Sequence, residues 1–214
     1  MKIVGNIMHP VATAGNDAME AAAKATVDWN SKCAIPQTLY RVISGMPIGT
    51  MTVSMRAENW AALSAGVTPM YVDEGQIALQ KELGEYLMAP PESSVGNVVH
   101  MAGTMPSAPT NIISQTGARP IDNLAAGAWM IDMSNYINQL TGLPNIVMQY
   151  GYGVADSTIQ PGSMAIVVYN KDTAEHDEAT DKLQNDEGYL RRMASVAELF
   201  DMSSYFNILM RKLV

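Results

Sequence analysis

The alternation of hydrophobic and polar residues predicts a regular order of strands and helices. In the first half of the chain it predicts strands at 3–9, 37–44, 48–56 and 94–102. Apolar positions at three- and four-residue spacing predict a helix from Asp17 to about Lys32, with Asn16 as its cap. A second helical region covers 58–88 and is interrupted near Pro69. The predicted order is therefore β-α-β-β-α-β.

The second half predicts the same order again. Its strands are expected at 111–117, 145–154, 162–169 and 204–213. A helix is expected from Asn123 to about Leu140. Asp172 and Glu175 have the spacing of a capping box, which predicts a helix from Thr173, followed by a further piece at 187–200.

Individual residues recur between the halves at nearly constant offsets. Asn30 and Pro36 recur 108 positions later, whereas Gly49 and the triplet Asp73-Glu74-Gly75 recur 113 positions later and Ser94 and Asn97 recur 110 positions later. The offset changes only between blocks, as insertions in loops would require. The constant order indicates a tandem duplication. The repeated acidic pair is interpreted as a helix start, which favours negative charge, rather than as an acid/base pair.

The duplication predicts two repeats and a linker. Repeat one is expected at 1–102, the linker at 103–110 and repeat two at 111–214, because the linker segment is small, polar and proline-bearing. Each repeat has the order of a ferredoxin-like split unit. Its sheet carries helices on one face only, and the other face needs a cover. We therefore expect an α+β fold in which two sheets face each other as one pseudo-dimeric α/β barrel.

On this element order the chain resembles the dimeric α/β-barrel superfamily in a fused form, and is similar to NIPSNAP-like and antibiotic-biosynthesis-monooxygenase-like proteins. The resemblance covers nearly the whole chain but includes no catalytic motif. It implies a space between the sheets that holds a small organic ligand, or haem in some branches. Members of the superfamily include cofactor-free oxygenases, haem-degrading enzymes and isomerases.

Composition narrows the classes of partner. The formal net charge is −8 and no Lys/Arg cluster occurs, which argues against nucleic-acid binding. No apolar run approaches the ~20 residues needed to span a bilayer, so no membrane association is expected. The N-terminus makes a poor signal peptide and Cys33 is the single cysteine, so the expected location is the cytoplasm. The sequence is compatible with a homo-oligomer.

Metal and cofactor signals are weak. The sequence contains no CxxC, HExxH, P-loop or GxSxG motif. His9, at a strand end, fits either a base or ligand role or a backbone-bonded role, and the second is favoured. His176 stands among Glu175, Asp177 and Glu178 and is predicted to be solvated. No metal and no cofactor are predicted, while haem stays open through the resemblance alone.

Polar residues inside predicted strands are the candidate ligand contacts. Arg41 is expected inside the barrel or at a solvated rim, and Tyr40 towards the helices, because an unpaired arginine under a helix would be costly. Asn97 and Asn207 are equivalent strand positions, for which a structural hydrogen bond is the competing role. The full candidate set is Asn6, His9, Arg41, Asn97, His100, Tyr150 and Asn207.

Two functions compete. The first is small-molecule binding, or a cofactor-independent enzyme of oxygenase or isomerase type, that uses the cavity between the sheets. The second is a non-catalytic scaffold or interaction protein with a filled barrel. A cavity of roughly 300 Å³ or more would favour the first. The sequence leaves open whether the protein is an enzyme.

Overall fold

The two halves of the chain have the same order of strands and helices. The computed structural model describes residues 2–9, 16–47, 49–153, 157 and 159–214. The first half contains β1 (Ile3–His9), α1 (Asn16–Lys32), β2 (Gln37–Ser44), β3 (Met51–Ala57), α2 (Trp60–Val67), α3 (Pro69–Val72), α4 (Glu74–Gly84) and β4 (Glu92–Ala102). The second contains β5 (Ile112–Pro120), α5 (Asn123–Thr141), β6 (Asn145–Tyr152), β7 (Met164–Asn170), α6 (Thr173–Gln184), α7 (Glu187–Met193), α8 (Val196–Leu199) and β8 (Phe200–Lys212).

The strands form one closed barrel. Its order is β1-β3-β2-β8-β5-β7-β6-β4, and every neighbouring pair is antiparallel. The first half contributes β4-β1-β3-β2 and the second β8-β5-β7-β6. The halves join where β2 pairs with β8 and where β4 pairs with β6. The expected pseudo-dimeric α/β barrel of two ferredoxin-like repeats is therefore confirmed.

Aromatic and aliphatic side chains fill the described part of the barrel interior. Side chains alternate between the two faces of a strand, so every second residue points inwards. The inward set forms one buried cluster that includes Tyr40, Met148, Tyr150, Tyr169 and Phe206. Because these residues come from both halves, the interior holds the two sheets together.

The helices lie on the outside of the barrel in two layers. Helix α1 packs on the first sheet through Ala18, Ala21 and Ala22, in a cluster with Leu39 and Leu83. In the second layer, α5 buries Ala126, Met130, Met133, Ser134 and Ile137. None of the described helices combines the length and apolar character needed to cross a membrane.

The repeated acidic pairs begin helices, as predicted. The Asp73 side chain accepts a hydrogen bond from Gln76 N at 2.7 Å, and Asp186 accepts one from Tyr189 N at 2.7 Å. Each of these caps also contacts the first helix of its own half. Lys32 Nζ lies 2.8 Å from Asp73, and the Tyr136 hydroxyl donates to Asp186 at 2.7 Å. The duplicated aspartate thus connects α1 to α4 in the first half and α5 to α7 in the second.

Candidate functional site

A cavity of about 620 Å³ lies between the sheet and the helical layer of the second half. Its floor is the outer face of β5, β7 and β8, and its roof is formed by α5, α6, α7 and α8. The volume falls within the range of about 300–1,000 Å³ that small-molecule sites occupy. The second half therefore has room for an organic ligand.

The roof consists of side chains that recur along one face of a helix. On α6 the lining residues are His176, Thr180, Leu183 and Gln184, which have the spacing of one helix face. The start of α6 is fixed by its capping box, in which Asp172 accepts from Glu175 N at 2.9 Å and Glu175 Oε2 accepts from Lys171 N at 2.6 Å. This cap sets the helix phase that turns His176 towards the cavity.

The remaining roof is apolar and rich in sulfur and aromatic rings. It includes Trp129, Met130, Met133 and Met193. The Trp129 indole N–H donates to Arg192 O at 3.1 Å, and its ring meets Phe200 edge-on at a centroid distance of 5.6 Å. These contacts hold the indole at the cavity wall. Methionine and aromatic surfaces of this kind suit a planar ring system.

Polar side chains also line the cavity. Thr116 Oγ1 donates to Asn207 Oδ1 at 3.1 Å across the β5–β8 pair, which leaves the Asn207 amide N–H groups as donors. Tyr189 and Tyr205 also line the space. Burial raises the pKa of both tyrosines, and at Tyr189 the nearby Tyr205 adds to the effect. Both hydroxyls therefore stay protonated at neutral pH and can donate a hydrogen bond.

Ionisable chemistry in the lining is sparse. Among the described lining residues there is no Asp, Glu, Lys, Arg or Cys, and His176 is the one histidine. Histidine is the side chain that ordinarily exchanges protons near neutral pH. Within the described part of the chain, no group of three or more His, Cys, Asp and Glu could hold a metal ion. Acid/base chemistry in this cavity would therefore fall to His176.

The lining does not fit haem, the cofactor that the resemblance implied. His176 could offer one axial nitrogen. The two propionates of haem need cationic or strongly donating partners, and none of the described lining residues is a lysine or arginine. The site suits a neutral ligand better.

Of the candidate residues predicted from sequence, Asn207 lines this cavity. Asn6 and Tyr150 point into the barrel instead. Asn6 borders a small interior space, and the Tyr150 hydroxyl accepts from Gln115 Nε2 at 2.7 Å. Complete burial raises the pKa of Tyr150, so its hydroxyl is a fixed member of the core.

The other candidates are dispersed. Asn97 is exposed on the outer face of β4. His100 also faces outwards, where its Nε2 lies 2.8 Å from Asn135 Oδ1 on α5. His9 ends β1, but its side chain lies outside the described residues. The structure does not bring the six candidates with described side chains together, and the ligand contacts of all seven stay predictions.

The expected facing of Tyr40 towards the helices was wrong, and so was the expectation that Arg41 could lie inside the barrel. Tyr40 belongs to the barrel interior, and Arg41 lies on the outer face with Leu39. Arg41 is half-buried, and its Nη1 lies 3.6 Å from the sulfur of Met19 on α1. A long side chain of this kind covers apolar surface with its stem and keeps its charge near water. The expected cost of an arginine on the helix side therefore does not arise.

The large cavity does not lie between the two sheets, where the sequence analysis expects one. Inside the barrel, two spaces bordered by described residues have volumes of about 20 and 10 Å³. Large inward side chains such as Tyr40, Tyr150 and Phe206 account for this filling. The large cavity lies on the opposite face of the second sheet.

His176 is among the site residues that the sequence interpretation missed, as are Thr116, Tyr189 and Tyr205. The charged neighbours of His176 suggested solvent exposure, but those residues lie on other faces of α6. The informative signal was the apolar pair Ala179 and Leu183, three and seven positions further on. Ala179 is buried, and Leu183 packs against the buried cluster that contains Met130 and Phe200. This spacing turns His176 inwards.

Comparisons with known proteins identify a fold. No protein-family model matches the chain, and no curated protein matches it. An anthrone oxidase-like protein matches all of this chain and 92% of its own, with a TM-score of 0.69 and 9% identity. A Fusobacterium nucleatum protein provisionally assigned as a monooxygenase matches all of this chain and 93% of its own, with a TM-score of 0.71 and 6% identity. A haem-binding protein from Thermus thermophilus also matches all of this chain and 91% of its own, with a TM-score of 0.50 and 10% identity.

Proposed function

We propose that this duplicated α/β-barrel protein binds a mainly apolar organic molecule with a carbonyl or hydroxyl group in the cavity of its second half. The observation that supports this is the 620 Å³ space, which is lined by methionine and aromatic side chains together with hydroxyl, amide and imidazole groups. A large apolar pocket with a few converging polar groups is the usual form of a small-molecule site.

The polar groups favour a hydrogen-bond acceptor on the ligand. The Asn207 amide, whose oxygen accepts from Thr116 Oγ1, lines the cavity and retains its N–H groups as donors. Tyr189 and Tyr205 supply two further donors, because burial keeps both protonated. A carbonyl oxygen would accept from such donors. The uncharged lining favours a neutral ligand over an anion.

The reaction we propose for this site is oxygenation without a cofactor. His176 would accept a proton from an acidic C–H group beside the ligand carbonyl, and the Asn207 and tyrosine donors would stabilise the resulting enolate. The enolate would then react with dioxygen. For an anthrone, the methylene group becomes a carbonyl, so that one anthrone and one dioxygen give one anthraquinone and one water. The names of the anthrone oxidase-like and monooxygenase-assigned neighbours support this choice of substrate class.

The test is oxygen uptake with anthrone as the probe. We expect the wild-type protein to accelerate anthrone oxidation and His176→Gln to lower kcat by about 100-fold, the usual contribution of a general base. The matched control is His100→Gln, which changes a histidine on the outer face that is bonded to Asn135. The control should retain wild-type kcat.

Binding is measured separately with anthraquinone, which has no acidic methylene group. We expect the wild type and His176→Gln to bind it alike and Asn207→Leu to bind more weakly, because the amide donor is lost. Binding without oxygen uptake would retain the binding function and reject the oxygenase. If neither anthrone nor anthraquinone binds, the aromatic-ketone proposal fails and the scaffold alternative gains support.

A further inference from the structure

A second set of polar side chains lies inside the barrel, remote from the proposed ligand cavity. It surrounds a space of about 20 Å³ and includes Asn6, Tyr40, Ser54, Arg56 and Tyr169. These residues come from β1, β2, β3 and β7, so both halves of the chain contribute. Such a set is unusual in a barrel whose other inward side chains are mostly apolar.

Arg56 is the charged member of this set. Its guanidinium carbon lies 4.9 Å from the centroid of the Tyr169 ring. It forms no ion pair and no hydrogen bond with any residue in the described part of the chain, and no described residue that lines the space is Asp or Glu. Arg56 is partly buried, and its guanidinium nitrogens remain accessible. The space beside Arg56 is therefore suited to a negative charge.

Two hydroxyl groups point to the same ligand chemistry. Tyr40 is 1% exposed and Tyr169 is 3% exposed, and neither hydroxyl bonds to a described residue. Burial raises the pKa of Tyr40 to about 12 and also raises the pKa of Tyr169, and in both cases the nearby Arg56 charge opposes the effect. Both hydroxyls stay protonated and can donate. Neither oxygen is among the buried polar atoms without a partner, so both hydroxyls reach accessible space, and both residues line the small interior space.

We propose that the barrel interior binds one small inorganic anion of the halide class between Arg56 and the hydroxyls of Tyr40 and Tyr169. A water molecule needs roughly 10–15 Å³ of such space, so the site holds a monatomic ion and excludes organic acids. Water alone would satisfy the hydroxyls but would leave the guanidinium charge uncompensated. The anion would bridge the two halves, because Arg56 and Tyr169 belong to different repeats.

The test compares melting temperatures in sodium bromide and sodium gluconate at equal ionic strength. We expect bromide to raise Tm by about 2–4 °C relative to gluconate in the wild type, as binding to the native state requires. Arg56→Met should lose this difference. Arg211→Met, which removes an exposed arginine of β8, should retain it and serves to cancel general salt effects. An equal Tm in both salts, or a bromide effect that survives Arg56→Met, would overturn the proposal.

A crystallographic measurement keeps the proposal testable if Arg56→Met fails to fold. Bromide-soaked wild-type crystals should show an anomalous peak between Arg56, Tyr40 and Tyr169. Tyr169→Phe retains the ring beside Arg56 but removes one donor, so the bromide midpoint should rise several-fold. A peak that refines as water in bromide contradicts the anion site.

Discussion

The two helical layers differ in the size of the side chains that their first helices, α1 and α5, bury. At the offset of 108 that relates Asn30 to Asn138, Ala21, Ala22 and Ala25 of α1 correspond to Trp129, Met130 and Met133 of α5. The alanines of α1 are buried against the first sheet. The three larger residues of α5 all line the cavity. One helix thus carries small buried residues, and its counterpart carries large residues that border the cavity.

The difference in side-chain size between α1 and α5 accounts for the cavity in the second half. Small residues let a helix approach a sheet closely, whereas large flexible residues hold it away and leave irregular space. The first layer also contains Trp29, which is fully buried and donates its indole N–H to Ile35 O at 2.8 Å. The corresponding residue of α5 is the smaller Ile137, which lines the cavity. At unchanged backbone topology, the two layers therefore differ in side-chain volume at positions that line the cavity in the second half.

The largest expected effect compares the tryptophans of the two layers. Trp29→Ala should lower the free energy of unfolding by about 3–5 kcal/mol, because it leaves a cavity in a packed layer. Trp129→Ala should cost only about 1–2 kcal/mol, because this half-buried residue already borders open space. Urea denaturation measures both. Equal losses would show that the two layers are packed alike.

An intermediate effect is expected from added volume. Ala22→Met places in α1 the residue that α5 carries at this position, and overpacking should cost about 1–3 kcal/mol. Thr180→Leu adds volume inside the cavity and should change stability by less than about 1 kcal/mol while it weakens anthraquinone binding. Denaturation and calorimetric titration together check this. Stable folding of Ala22→Met with unchanged unfolding energy would contradict close packing of the first layer.

The smallest expected effect concerns the duplicated glycine. A Cβ atom at Gly188 would clash with the Tyr136 hydroxyl, which must then leave Asp186. At Gly75 the same atom would lie 3.2 Å from Asp73 Oδ1 and 3.3 Å from Lys32 Nζ, the end of a flexible chain. We expect Gly188→Ala to lower Tm by about 2 °C and Gly75→Ala to leave it within about 1 °C. The reverse order of melting temperatures would contradict this account of the motif.

Much of the fold followed from the sequence because its signals are local or periodic. The recurring Asn30, Pro36 and Asp73-Glu74-Gly75 revealed the two repeats, and the strand order of a split unit then implied the barrel. The capping box at Asp172 also gave the start of α6 correctly. Spacing and cap chemistry depend on few residues, so they can be interpreted without knowledge of tertiary packing.

The site was harder to predict because it depends on the distance between layers. The strand alternation around Tyr40 and Arg41 allowed two facings, and the cost argument selected the wrong one since Arg41 reaches the helix edge. The charged neighbours of His176 predict solvent exposure, whereas the period of its helix places it in the cavity lining. The location of the cavity depends on how α5 and α6 sit above the sheet, although the exchange of alanines for Trp129, Met130 and Met133 was visible at the duplicated offset.

Barrel closure also has a consequence for folding. The seam between β2 and β8 pairs Tyr40 with Lys212, so strands from opposite ends of the sequence must meet. Such distant pairings form slowly, because a long loop must close before they gain any stabilisation. Until β8 is in place, β2 and β5 each present a free edge to solvent. During that interval the chain is exposed to edge-to-edge association, a hazard that the finished barrel removes.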